Sequence, residues 1–150
     1  DSMLSVSGQL DPTMCGQGTL NESHRRRSIY FQIKRSRLIP IMQVFDQPEP
    51  LGSQGSRPAT TIAPQALLFM NNQDVVAWSQ ALADQMRSLE TETAVREIYL
   101  AALSREPSEA ELADSLAFVE AQASSYGSRS PALADLCQVV FSLNEFIFLP

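Results

Sequence analysis

From residue 72 onward, apolar side chains recur every three or four positions. Val75, Trp78, Leu82, Met86 and Leu89 form one such stripe, and Val95, Ile98, Tyr99, Ala102 and Leu103 form the next. That spacing puts the apolar groups on one face of a helix, which must then be covered by a neighbour. Asn72 or Asp74 is placed to cap the first helix, and the second opens near Thr91 or Thr93. Arg105-Glu106-Pro107 stops it. Ser108 and Glu111 then have the spacing of a capping box, in which serine and glutamate satisfy each other's free amides. Leu112, Leu116 and Val119 mark the buried face of the helix so started. Residues 124–128 end it, and Ser130-Pro131 restarts the pattern with serine as cap and proline at the first helical position. The last stripe is Leu133, Leu136, Cys137, Val140 and Phe141. Ahead of all these, Pro64 suits a first turn, and Ala66 to Met70 are apolar all round, which predicts a short buried helix.

The chain before residue 58 follows another rule. Residues 1–24 are rich in Ser, Gly, Asn and Thr; Ser2 to Leu10 has room for a turn or two of helix before Asp11-Pro12, Gly16 and Gly18 break it. Ile29, Phe31 and Ile33 alternate with Tyr30, Gln32 and Lys34, which allows one short strand near 28–34. Pro40 is placed to start a short helix ending near Phe45. Residues 46–58 hold Pro48, Pro50 and Pro58 with Gly52 and Gly55, and read as a linker or surface loop. The expected fold is therefore mostly α: an irregular or extended N-terminal arm and linker over 1–57, then a four- to five-helix bundle over 58–150. The helices flanking Pro107 are expected to form an antiparallel hairpin.

Charge sharpens this division. Residues 1–57 carry seven Lys/Arg and five Asp/Glu, whereas 58–150 carry four and twelve, within a net charge of −6. An acidic bundle argues against general affinity for nucleic acid or anionic membranes. No run of apolar residues is long enough to span a bilayer. The basic run at 25–37, RRRSIYFQIKRSR, is the one segment whose chemistry core formation does not explain. Arg25, Arg26, Arg27, Tyr30, Lys34, Arg35 and Arg37 are the candidate binding residues, for an adjoining domain or an anionic ligand. Cations with interleaved aromatics are what a phosphate-gripping, base-stacking surface needs. The favoured alternative has the arginines tying the arm to the acidic helices or to a neighbouring domain through carboxylate pairs.

Other constellations carry less. His24 is the only histidine and has no recognisable partner set for catalysis. Metal-ligand spacings, the C-x-x-C-H haem attachment motif and glycine-rich phosphate loops are absent from the sequence. Most of Glu106, Glu109, Glu111, Asp114 and Glu120 belong to the first turns or outer face of one helix rather than to a catalytic carboxylate pair. Cys15 and Cys137 have the option of pairing in an oxidising compartment, but Cys137 lies on an apolar stripe and is read as a small core hydrophobe.

Five segments in order carry a resemblance: RRSIYFQIKRSRL, IMQVFDQPEP, TTIAPQALLFMNN, REIYLAALSREPSEAEL and ALADLCQVVFSLNEFIFL. Together they resemble the C-terminal domain of unknown function of large secreted planctomycete proteins, and the likeness runs from about Leu4 to Leu149. In that family the domain follows a planctomycete-type cytochrome c domain and a second uncharacterised domain. The resemblance implies an extracytoplasmic, multidomain parent associated with polysaccharide breakdown, with c-type haem only in the region upstream and no cofactor in this segment. It implies no catalytic residues. Arg26 to Tyr30 and the pair Asn71-Asn72 look like hallmarks of the family. The chain's start at Asp1 and its end just after an apolar run fit a piece of something longer.

The expected function is a non-catalytic structural or interaction module, the arm docking on upstream domains of the same polypeptide. One alternative is part of a carbohydrate-active enzyme whose site is completed by other residues, with Asp46, Glu49 and the 25–37 run as the places to look and polysaccharide as partner. A nucleic-acid-binding module using the 25–37 run is the least favoured.

Overall fold

The computed structural model describes residues 1–34, 36–45, 47, 55 and 63–148. It is mostly helical. Helix α1 spans Ser2–Val6 and α2 Pro40–Val44, with a 3-10 turn at Ser28–Tyr30 between them. The bundle follows: α3 Ala63–Asn71, α4 Gln73–Gln85, α5 Thr91–Leu103, α6 Glu109–Tyr126 and α7 Arg129–Phe141, with a closing turn α8 at Asn144–Ile147.

Helix α7 is the centre of the core. It packs chiefly on α4 and α6, and all five members of its stripe, Leu133, Leu136, Cys137, Val140 and Phe141, are buried. Val75 and Leu82 of α4 and Val95, Ile98 and Tyr99 of α5 meet it, and Trp78, Met86, Leu89, Leu112 and Leu116 pack partly buried around them. The four- to five-helix bundle read from periodicity is thus the one that forms. Helices α5 and α6 pack together across a short turn in which Pro107 is buried.

Local signals fix the helix ends. The Asn72 side chain accepts from the amides of Asp74 (2.8 Å) and Val75 (3.3 Å). The capping box is complete: Glu111 N donates to Ser108 Oγ (3.3 Å) and Ser108 N to Glu111 Oε2 (2.8 Å). One boundary differs from expectation. Helix α7 begins at Arg129 with Ser128 as N-cap, two residues before Pro131. Gly127, left-handed at φ 68°, closes α6 and lets the chain turn at once. Pro131 is tolerated inside the first turn because amides there have no intrahelical partner. The Arg129 guanidinium reaches back to donate to the carbonyls of Leu89 (2.6 Å) and Arg87 (3.3 Å), satisfying the chain beyond α4.

Two further expectations fail in instructive ways. Helix α3 is not buried all round: Phe69 is 3% exposed, but Leu67 is 57% and Met70 67% exposed. The helix rests on one side only, fastened by Gln138 Nε2 donating to the Phe69 carbonyl (2.7 Å). The 28–34 stretch is not a strand. It holds the 3-10 turn and isolated bridges, Thr19 to Phe31 and Lys34 to Arg37, and Ile29 and Ile33 point outward at 76% and 67% exposure.

The N-terminal residues join the bundle. Helix α1 packs on α4 and α5, burying Leu4, and Gln85 Nε2 donates to the Ser7 carbonyl at 2.8 Å. No helix among the described residues is long and apolar enough to cross a membrane.

Candidate functional site

The basic run is anchored by Arg26 and Tyr30. The Arg26 guanidinium lies over the Tyr30 ring, 3.5 Å from its centroid. Its nitrogens donate to the carbonyls of Thr13 (3.2 Å), Gln17 (3.4 Å) and Cys15. The Tyr30 hydroxyl accepts from Cys15 N at 2.7 Å. Residues 13–17 therefore wrap around a cation–π pair, turning through positive φ at Cys15 (66°) and Gly16 (89°). Beside this loop, Thr19 N donates to the Tyr30 carbonyl and Gln32 N to the Thr19 carbonyl, each at 2.8 Å. The chains approach so closely that a Cβ on Gly18 would stand 2.9 Å from the Tyr30 carbonyl oxygen. Glycine is the residue that fits there.

The remaining cations are used differently. Arg27 lies 3.7 Å from Asp1, an exposed and weak pair, while Asp1 also accepts from Ser28 N at 2.7 Å. The side chains of Arg25, Lys34 and Arg37 are exposed and have no ion pair or hydrogen bond among the described residues. Arg35, Asp46 and Glu49 lie outside the described residues. The carboxylate pairs expected between this run and the acidic helices do not form among the described residues. Backbone carbonyls, closer in space, take the Arg26 donors instead. Tyr30 has one ring face covered by its own arginine and its hydroxyl engaged by Cys15.

A cleft of about 330 Å³ opens between this arm and the bundle. Its walls are Leu4 of α1, Phe31 of the arm, Ile41 and Met42 of α2 with Phe45 just after it, Phe69 of α3, Trp78 of α4 and Phe146 of α8. Asp1, Glu22, Arg26, Ser28 and Gln47 supply polar groups around it. His24 also lines it. Its ring meets Phe31 edge-on at 4.4 Å, and both ring nitrogens are shielded from solvent without a hydrogen-bond partner among the described residues. Burial and then the nearby Arg26 charge lower its pKa, which favours the neutral imidazole. A shielded, unpaired imidazole costs about 1–3 kcal/mol.

No periodicity pointed to this cleft, because its wall residues come from separate elements and each reads locally as core. The lone histidine was the one signal. The carboxylates weighed from sequence do not converge: Glu106 pairs with Arg96 at 3.2 Å, and Glu111 with Arg105 at 2.8 Å. No cluster able to hold a metal ion occurs among the described residues. Both cysteines are free, Cys15 exposed and Cys137 buried.

A comparison with curated proteins gives no match, and neither does one with solved structures. A family model described as PSD1, protein of unknown function (DUF1553), matches residues 1–119, and the chain belongs to that family.

Proposed function

We propose that the chain is a non-catalytic interaction module, working as the C-terminal part of a larger extracytoplasmic protein. Its basic arm docks on domains upstream in the same polypeptide. Those upstream domains would carry the c-type haem, and the assembly would serve polysaccharide breakdown. The observation that carries this reading is the outer face of the arm. Ile29 and Ile33 stand 76% and 67% exposed in the same segment as Arg25, Lys34 and Arg37, whose exposed side chains have no ion pair among the described residues. Exposed apolar groups and exposed cations in one segment are what a protein interface presents. Nucleic-acid binding is disfavoured because Arg26 and one face of Tyr30 are spent on each other rather than left for a phosphate and a base.

The first test is the size and visible spectrum of the native protein, captured with an antibody to residues 58–150. A species much longer than 150 residues with a c-type haem spectrum supports the reading; a haem-free species of about this length overturns it. Within the longer protein, Ile29→Asp with Ile33→Asp should expose the arm to limited proteolysis without unfolding the bundle. Unchanged cleavage would exclude the arm as the contact.

A further inference from the structure

We infer that the cleft between the arm and the bundle binds a small, uncharged, apolar molecule of up to two fused rings, and that this occupant fastens the arm to the bundle. Size sets the first limit. An apolar cavity of about 150 Å³ accepts a benzene ring, so about 330 Å³ admits two fused rings. The cleft is open to solvent, so a small molecule can enter it. A partner helix, about 10 Å across with its side chains, is too wide.

The lining sets the second. Leu4, Phe31, Met42, Phe69, Trp78 and Phe146 meet there from separate elements. Water against such carbon surface gives up hydrogen bonds, and an apolar body that displaces it gains from the burial. The polar groups of the lining are already engaged or remain in water. Asp1 accepts from Ser28 N and lies near Arg27, Arg26 donates to the carbonyls of Thr13 and Gln17, and Glu22 is exposed. The His24 nitrogens are shielded from solvent and take no part. A charged ligand would leave water with no partner to receive it.

The position of the cleft sets the consequence. Phe31 belongs to the arm, whereas Phe69 and Trp78 belong to the bundle. Among the described residues, the hydrogen bond from the arm to α4 is a long one, Ser23 Oγ to Asp74 Oδ2 at 3.5 Å. A molecule held from both sides binds only while the arm is in place, and so favours that arrangement by mass action.

The test uses the 150-residue chain apart from any docking partner, with naphthalene as probe and 2-naphthoate as its charged counterpart. Calorimetry and the fluorescence of Trp78, the only tryptophan, follow binding. One naphthalene should bind per chain, and 2-naphthoate about ten-fold more weakly. Phe31→Asp and Met42→Asp each set a charge against the cleft, and should weaken naphthalene about ten-fold with helical circular dichroism unchanged. Leu100→Asp, at an exposed site on α5 outside the lining, should leave binding unaltered. The amides of Thr19 and Gln32 report on the arm. With naphthalene at about nine times its Kd, their hydrogen-exchange protection should rise about ten-fold. Should one Asp variant not fold, the other and the exchange data decide. Absence of saturable 1:1 binding, equal affinity for the two probes, binding that survives both Asp variants, or arm protection that naphthalene leaves unchanged would each overturn it.

Discussion

Arg105 grips Glu145 with two parallel bonds, Nε to Oε1 and Nη2 to Oε2, each 2.7 Å. The same guanidinium bonds Glu111 through Nη1 (2.9 Å) and Nη2 (2.8 Å), and lies 5.8 Å from the Tyr99 ring centroid. One arginine just past α5 thus fastens the start of α6 and the closing turn α8. The planar fork makes this possible; an ammonium offers no matching geometry.

Acid should release this clamp. Arg105 and then the Ser108 amide hold Glu111 down to about 2, against an ordinary 4.5, and Arg105 lowers Glu145 as well. A depressed carboxylate contributes stability that is complete above its unfolded pKa and lost as pH falls through the folded one. The window for Glu111 is therefore pH 4.5 to about 2. Glu111→Gln keeps an oxygen for Ser108 N but loses the ion pair. Urea midpoints of the wild type should fall more steeply across that window than those of the variant. Equal slopes would show that the pair adds nothing.

Core and surface positions that look alike in sequence should separate sharply under mutation. Leu82 is fully buried against α7, so Leu82→Ala should cost about 2–5 kcal/mol. Met70→Ala, at a position 67% exposed, should stay within about 0.5 kcal/mol. Urea unfolding of both variants checks this. A comparable loss in Met70→Ala would place that side chain in the core.

The same pair shows what was legible in the sequence. Stripes with helical period and polar punctuation, such as Val95 to Leu103 or the Ser108–Glu111 box, dictate their own structure, because local spacing and local hydrogen bonds decide it. The polar Gln65 of helix α3 is buried while the apolar Leu67 and Met70 are exposed, so its sequence cannot say which side is covered; Val44, Phe45 and Gln138, far along the chain, settle that. Alternation at Ile29, Phe31 and Ile33 suggested a strand, yet a strand needs a partner ladder, and the 11–19 segment supplies only isolated bridges. The basic run was visible at once. Its division into an internal staple at Arg26 and cations at Arg25, Lys34 and Arg37 that have no partner among the described residues was not, since it depends on where residues 13–17 fold back.

Thiol chemistry should distinguish the two cysteines. Burial pushes the Cys137 thiol up to about 12, whereas Cys15 is exposed. Only thiolate reacts with iodoacetamide. At pH 8 the folded chain should take up one carbamidomethyl group, at Cys15, and two in denaturant, as read by peptide mass spectrometry. Labelling of Cys137 in the folded chain, at a rate matching Cys15, would mean that α7 is not sealed in the core.

Arg26→Lys should fail to replace Arg26. A lysine carries its charge at one centre, while the guanidinium spans the carbonyls of Thr13, Cys15 and Gln17 and still lies flat on Tyr30. The amide of Cys15, which donates to the Tyr30 hydroxyl, reports on that loop. Its hydrogen-exchange protection should drop roughly ten-fold in the lysine variant, the worth of one lost hydrogen bond. Amides of α7 should keep theirs, because its buried face packs on the other bundle helices and the 13–17 loop is exposed. If Cys15 protection survived the change, the stack would be incidental and the loop held by its backbone alone. If α7 lost protection as well, the arm would be part of the cooperative core rather than a flap laid upon it.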